Sequence, residues 1–503
     1  MKFLPHLLAL ASCFTLAPLA LALPDGSFDV RAYGARGDGT ANDAPAINRA
    51  IAAAAAAGGT VELPAGDYLS GSVHLRSNVT LHLGAGASLI ASSANADYDP
   101  PEPNDWGDLR HYQDGGHSHW HDSLLWGEGL VNVAITGPGR IFGRGLSRGW
   151  DTEHPVQSVG TKAIALRDCR NVLLRDFTIE HGGWFGILAT GVDNLTIDNL
   201  RIDTNRDGMD LDCCHNVRVS NCSVNSPWDD GICLKSSFGL GRFRSTENVT
   251  ISGCLVSGYD EGSLLDGTRR HQDPHNGEPT GRIKFGTESN GGFKAVTISN
   301  CVFECCRGLA LESVDGAVLE DVTVSNLAMR QIYGAPIFLR LGIRMRGPAG
   351  TAVGVLRHVL ISNVVADGVA AKQGILITGV PGHEVEDVTL ADINLGFAGG
   401  GTPELAGRAV PEMERVYPEP LSFGPTSAWA LFARHARGLT LRNVAFRHEA
   451  AEARPAIYLQ DVQGADLADV RFPVVEGQAP LILRDVAGFI AWRTSGVTDT
   501  APR

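Results

Sequence analysis

Three carboxylates carry the most chemistry in this chain: Asp207 in the run Asn205-Arg206-Asp207-Gly208, and the pair Asp229-Asp230 one short repeat later. Acids held close together cannot all ionise, so one keeps a proton near neutrality while a neighbour stays charged. Glycosidic cleavage needs that division, with one group protonating the leaving oxygen and another activating water. Whether these acids meet depends on what separates them, the pattern Asn216-Val217-Arg218-Val219-Ser220-Asn221-Cys222.

That pattern recurs. Counting from Asn171, Asn194, Asn216, Asn248, Ala295, Asp321, His358, Asp387, Gly438 and Gly464, offsets one, three, six and eight are nearly all apolar, and offset five is always Asp, Asn or Gly. Those residue types tolerate a left-handed backbone, so each repeat reads as two short strands joined by a tight bend. Offset six, from Phe177 and Leu200 through Cys222, Cys254 and Cys301 to Val470, is then a stacked interior ladder. The shortest spacing, 22 residues, is one coil, and longer spacings carry inserted loops. No helical period lies between the strands, which removes a βαβ solenoid or leucine-rich horseshoe. The expected fold is all-β, a right-handed parallel β-helix.

Neighbouring coils of such a stack lie about 4.8 Å apart, so one slot on successive coils is a contact. Offset thirteen is occupied by Trp184, Asp207, Asp229 and Glu261, an aromatic and three acids along one groove. Like charges at that spacing repel, which disfavours a mere solvated stripe and favours function for Asp207 and Asp229. Asp230 reads as a one-residue insertion that a bulge turns outward. Lys235 counts into register with Asp212, Asp266 and Glu312, as the cation of a charge ladder or as a substrate contact. His117, His119 and His121 alternate on one face of an extended segment. Without a partner at metal-ligand spacing they read as a loop beside the groove, and no metal or cofactor is expected.

Lys2, the apolar run Phe3 to Leu21 and Ala20-Leu21-Ala22 read as a secretory signal over 1–22, with residues 23–503 forming one β-helix domain. Pro5, His6 and Pro18 interrupt the run and argue against a membrane anchor. Asn42-Asp43-Ala44-Pro45 starts a short helix that caps the stack's open end within 28–60. Loop insertions are expected near 97–125, 264–290 and 396–430, walling the groove in a way that favours attack at chain ends. A net charge of -14 excludes nucleic acid as a partner and disfavours long polyanions without a local basic cluster. The chain is expected to be a secreted or periplasmic monomer acting on a polysaccharide or oligosaccharide. Cys222, Cys254 and Cys301 fill apolar slots, leaving Cys213-Cys214 and Cys305-Cys306 as disulfide candidates.

The opening from Phe28 to Thr40, with Gly37-Asp38-Gly39, resembles the pectin-degrading β-helix superfamily. Asn205-Arg206-Asp207, Asp229-Asp230 and the aromatic turn Gly182-Gly183-Trp184 resemble glycoside hydrolase family 28, the polygalacturonases and rhamnogalacturonan hydrolases, over most of residues 28 to about 475. The family order is Asn-Thr-Asp, then Asp-Asp one coil later, then Gly-His-Gly, then Arg-Ile-Lys. The resemblance implies an inverting hydrolase in which Asp229 is the acid while Asp207 and Asp230 activate water. The chain departs from that order at Gly258-Tyr259-Asp260-Glu261-Gly262, which has no His. Its Arg282-Ile283-Lys284 precedes the strand that the family's tripeptide follows, and the expected slot holds Ala310 and Glu312. Arg282 and Lys284 then bind substrate only by folding back from an inserted loop, and neutral or branched pectic residues are the expected target. Two other classes share this architecture. A polysaccharide lyase would use an acidic ladder for calcium and leave an ultraviolet-absorbing end. A non-catalytic glycan-binding β-helix would keep its binding after loss of the aspartates.

Overall fold

Each coil turns where the sequence supplies a residue that accepts positive φ. In the computed structural model, which describes residues 26–103, 115–148, 160–273, 275, 277–370 and 372–500, all ten residues at offset five have φ between 51° and 71°, and the ten first residues of the repeats have φ between 50° and 75°. The secretory-signal reading of 1–22 lies outside the described residues. Asn171, Asn194, Asn216 and Asn248 also stack through their amides, each Nδ2 donating to the preceding coil's Oδ1 at 2.9 to 3.3 Å. The bends therefore satisfy their own polar groups as a ladder along the surface.

The result is a right-handed parallel β-helix in which every named strand pairing is parallel. One coil consists of Phe185–Thr190, Asp193–Asp198 and Arg201–Asp203, and the next of Asp207–Asp212, His215–Ser220 and Ser223–Asn225. Three strands form each such coil rather than the two read from the repeat, because the first of them, as in Asp207–Asp212, carries polar residues and so breaks the apolar pattern. The offset-six ladder from Phe177 to Val470 is interior, with every member at most 2% exposed. Cys222, Cys254 and Cys301 stand in it as small buried groups. Cys213, Cys214, Cys305 and Cys306 are free thiols, so the disulfide expectation fails. The helix Ala44–Ala57 buries Ile47, Ala50, Ile51 and Ala54 over the first coils.

Two inserts matter for the site. One leaves the stack after Leu255–Ser257 and returns at Ile283–Ser289, which is a strand, so the insert expected over 264–290 ends sooner. The other links the strand ending at Phe397 to the strand beginning at Leu431. It is held down by Arg340, which donates to the Glu412 and Met413 carbonyls, and by Arg434, which donates to those of Val410 and Pro411.

Beneath these inserts, one outward-facing column of the first sheet reads Ala165, Leu188, Asp210, Cys233, Lys284, Ala310, Phe338, Leu376 and Phe432. It is apolar at both ends and polar over three coils. Trp120 covers Ala165, Phe185 and Leu188 at one end, and Phe423 covers Ala310, Phe338 and Phe432 at the other. The polar window between them is where solutes meet the sheet.

The bend ladder predicts an asymmetry between two substitutions. Asn194, at φ 57°, both donates and accepts in the ladder. Asn194→Ala should lower stability by about 1–3 kcal/mol, through left-handed strain and lost hydrogen bonds. Asn194→Gly should recover the strain component. Equal melting temperatures for the two variants would show that backbone strain is irrelevant at this bend.

Candidate active site

Asp207 begins its strand opposite Phe185, and the Asp230 backbone N–H donates to its Oδ1 at 3.3 Å. Asp230, not Asp229, therefore lies over Asp207, and Trp184 is one residue ahead of the slot. The pairing interval explains the shift: Phe185 to Asp207 is 22 residues, whereas Met209 to Ile232 is 23. The extra residue is absorbed at Asp229. Oxygens of Asp207, Asp229 and Asp230 all lie within 4.8 Å of one another, so the sequence expectation that the three acids converge holds. Gly208 permits this closeness, because a Cβ there would stand 2.5 Å from the Gly231 carbonyl oxygen.

Each outer acid has its own cation. Arg206 grips Asp229 at 2.7 and 3.3 Å and lies 5.1 Å from the ring centre of Trp184. Arg282 Nε donates to Asp230 at 2.7 Å, and Lys284 Nζ approaches the other oxygen at 3.2 Å. Arg282 and Lys284 thus do not reach in from a displaced loop. Their strand stacks directly on Ile232–Ser236, with Lys284 opposite Cys233. That is one coil earlier than the family order puts its tripeptide, in the coil where Gly-His-Gly would fall. The next coil aligns Ala310 with Lys284, so the basic slots there correspond to Gly308 and Ala310 rather than Ala310 and Glu312.

Lys235 pairs with Asp212 as expected, but Asp266 lies off the stack. The Lys235 ammonium is buried under the cleft, 2.9 Å from Glu288 and 3.7 Å from Asp210, so it supports the site from below. Glu261 has also left the stack, on an insert whose backbone N–H groups at Gly262, Leu264 and Leu265 donate to buried Asp203. Its carboxylate engages Arg148 and His181 instead, beside a cavity of 240 Å³ lined by Arg144, Arg148 and His181. The three histidines of 117–121 do not share a face. Gly115–Ser118 is a 3₁₀ turn, which sends His117 Nε2 to Asp210 at 3.0 Å, His119 to the Glu102 carbonyl and His121 to Glu128.

Sequence reasoning placed His117 in a loop beside the groove without giving it a partner, and it missed Asp210, Glu288, Arg206 as a partner, Tyr417, Glu419 and Trp228. Asp210 had a signal, being the alternate residue of a strand whose inward neighbours are Met209 and Leu211. Trp228 and Tyr417 are half-exposed aromatics at the rim, at 41% and 45%, suited to stacking on sugar rings. Among the described residues, His117 with Asp207 and Asp210, and Asp207 with Asp229 and Asp230, are the two donor sets compact enough for one ion. Arg206, Lys235, Arg282 and Lys284 already bring the compensating positive charge to both.

Burial drives the Asp207 carboxyl well above the ordinary 3.8, with Asp210 and Asp229 adding to the effect. Burial also opposes ionisation of Asp230, but Lys284 and Arg282 together outweigh it and hold that group well below the ordinary value. Glu312 is pushed up to about 7 by burial, against the pull of Lys284 and Arg282. The site therefore contains a carboxyl that keeps its proton beside one that does not.

Comparison with known proteins agrees with the β-helix fold. A family model described as a right-handed β-helix region matches residues 152–276, and one described as rhamnogalacturonase A/epimerase, pectate lyase-like, matches residues 27–135. The chain is 25% identical over 256 residues to an exo-poly-α-D-galacturonosidase of Dickeya chrysanthemi, covering 42% of each protein. It is 27% identical over 235 residues to a probable polygalacturonase of Vitis vinifera, covering 44% of this chain and 47% of that one. The matched stretch is thus under half the length of either relative. The crystal structure of an exopolygalacturonase from Thermotoga maritima superposes with a TM-score of 0.60 at 20% identity, over 75% of this chain and 88% of that one.

The elevated Asp207 carboxyl gives a pH signature. The unfolded chain ionises this group near 3.8, while the folded chain keeps the proton to higher pH among Asp210, Asp229, Asp230 and Lys235. The folded state then binds more protons, so its stability falls as pH rises from about 4 through the folded value. Asp207→Asn should therefore melt at or a few degrees above the parent at pH 7, with the gap widening from pH 4 to 8. A gap that narrows with rising pH would show that Asp207 is ionised in the folded protein.

Proposed function

We propose, for a chain that is a β-helix protein of the glycoside hydrolase family 28 type, that it hydrolyses glycosidic bonds in pectic polysaccharide or oligosaccharide by acid/base catalysis. The single observation that carries this reading is the trio Asp207, Asp229 and Asp230, with oxygens within 4.8 Å and proton affinities driven apart. Polygalacturonases among its relatives support the same reaction class.

Access divides the roles. The Asp229 side chain is 24% exposed, whereas those of Asp207 and Asp230 are 3% and 2% exposed as residues. A sugar's glycosidic oxygen can touch Asp229 and cannot touch the other two, but a water molecule can reach all three. Asp229 therefore protonates the leaving oxygen, and Asp207 stores the proton that it needs. Transfer of that proton to Asp229 leaves Asp207 ionised, and with Asp230 it takes a proton from the attacking water. The C–O bond breaks, the leaving oxygen gains one proton, the water oxygen bonds the anomeric carbon, and its proton restores the set.

Oxygens under 5 Å apart fall on the retaining side of the usual spacing rule. Inversion is still the better reading, because a carboxylate buried as deeply as Asp207 or Asp230 has no room to bond an anomeric carbon. One observation favours the opposite outcome. Arg206 holds its guanidinium 2.7 Å from Asp229, a contact that would suit a nucleophilic carboxylate. Walls of Trp120 on one side and Phe423 on the other close the cleft along the helix axis, which supports release of short products from a chain end. Export from the cell, read from residues 1–22, is part of this proposal.

Asp229→Asn should lower turnover of pectic oligosaccharides at least about a hundredfold without loss of folding. Parent-like turnover in that variant would remove its role. The anomer formed first, followed by NMR, decides the stereochemistry: a retained product would assign Asp229 as nucleophile and end the water-activating role of Asp207 and Asp230. An ultraviolet-absorbing product abolished by chelation would indicate lyase chemistry instead.

A further inference from the structure

Resting on the hydrolase reading, we propose that Glu419 is a built-in carboxylate that fills the anion position beside Asp230, and that this subsite selects a sugar bearing no carboxylate there.

The observation is a convergence of cations on a group delivered from far along the chain. Arg282 is 1% exposed, and its Nε is committed to Asp230. Its two terminal nitrogens meet the two Glu419 oxygens at 2.5 and 3.3 Å, the two-pronged geometry by which a guanidinium binds any carboxylate. Arg307 Nη1 approaches the same carboxylate at 3.3 Å. Lys284, held to Asp230, donates its remaining reach to the Tyr417 hydroxyl at 3.0 Å. Two guanidinium groups and an ammonium thus face one edge of the catalytic trio, and Tyr417 and Glu419 of a single inserted segment answer them.

A buried arginine needs a counter-charge, and Asp230 alone already provides one for Arg282. Glu419 adds a second, and its side chain is 17% exposed, at the margin of the cleft rather than under it. Without it, Arg282 and Arg307 would present an open carboxylate site within one sugar residue of Asp230. With it, a uronate must displace a doubly bonded carboxylate to bind, and its own charge meets that of Glu419. A neutral sugar meets neither obstacle, since its hydroxyl groups can donate to the Glu419 oxygens. The discrimination is thus made by repulsion as well as by fit.

The test compares trigalacturonate with its fully methyl-esterified form, which carries a methyl group in place of each negative charge. Calorimetric titration into the Asp229→Asn protein, chosen because its turnover should be at least about a hundredfold slower, should show the ester binding at least tenfold more tightly than the acid. Adding Glu419→Gln, which keeps the side-chain volume, should raise affinity for the acid at least tenfold and leave the ester within about threefold. The proposal is overturned if acid and ester bind Asp229→Asn equally, a comparison that needs no change in the inserted segment. It is also overturned if Glu419→Gln, folded by its melting curve, leaves their ratio unchanged. The charge preference without any bond cleavage by the parent protein would instead defeat the hydrolase reading and leave this one standing.

Discussion

Parallel coils stacked about 4.8 Å apart leave like charges in one slot nowhere to go. That spacing governs everything above the first sheet. Where Asp207 and Asp230 are brought together, the following coil must carry Arg282 and Lys284, and where Asp210 faces outward, Lys235 stands beside it. The alternation continues to Glu312, 3.8 Å from Lys284, and to Arg340, paired with Glu312 in register. Adjacent columns of side chains thus form a buried network of opposite charges. Such a sequence is costly to desolvate and is retained where its arrangement has a use.

The same spacing shapes the cleft. A groove along a β-helix would be open at both ends if its outer column were polar throughout. Here the column is apolar on either side of the polar window, and apolar surface on a sheet invites cover. Trp120 and Phe423 provide it from segments that lie far apart in sequence. Enclosure of the site therefore follows from side chains such as Leu188 and Phe338, several coils away from the acids they confine.

Much of this was legible in the sequence because it is periodic. The Asn, Asp and Gly bends and the Phe177-to-Val470 ladder could be counted, and counting them gave the fold and the convergence of Asp207 with Asp229-Asp230. What failed to be legible was aperiodic. One extra residue at Asp229 shifted the slot, which put Asp230 over Asp207. The insert after Ser257 hid a coil boundary, so Arg282-Ile283-Lys284 looked misplaced when it begins the adjacent strand. Glu419 touches Arg282 across 137 residues, and no local spacing encodes such a contact. Glu261 matched its slot by number only, because Asp203 draws that backbone away from the stack.

The distribution of cations also determines which acid holds the proton. Asp229 has Arg206, and Asp230 has Arg282 and Lys284. Lys235 is spent between Glu288 and Asp210. Among the described residues none of these cations comes within 4.0 Å of Asp207, which is left facing Asp210 and Asp229. Burial does most to hold its proton, and the charges of Asp210 and Asp229 add to that against the opposing pull of Lys235. The family's Asn-Thr-Asp has no cation at the position of Arg206, so a site built on that tripeptide would leave its counterpart of Asp229 without this partner. Arg206 places a fixed positive charge 2.7 Å from the one acid of the trio whose side chain is 24% exposed. In the proposed reaction a proton passes from Asp207 to Asp229, the acid that Arg206 contacts at 2.7 Å.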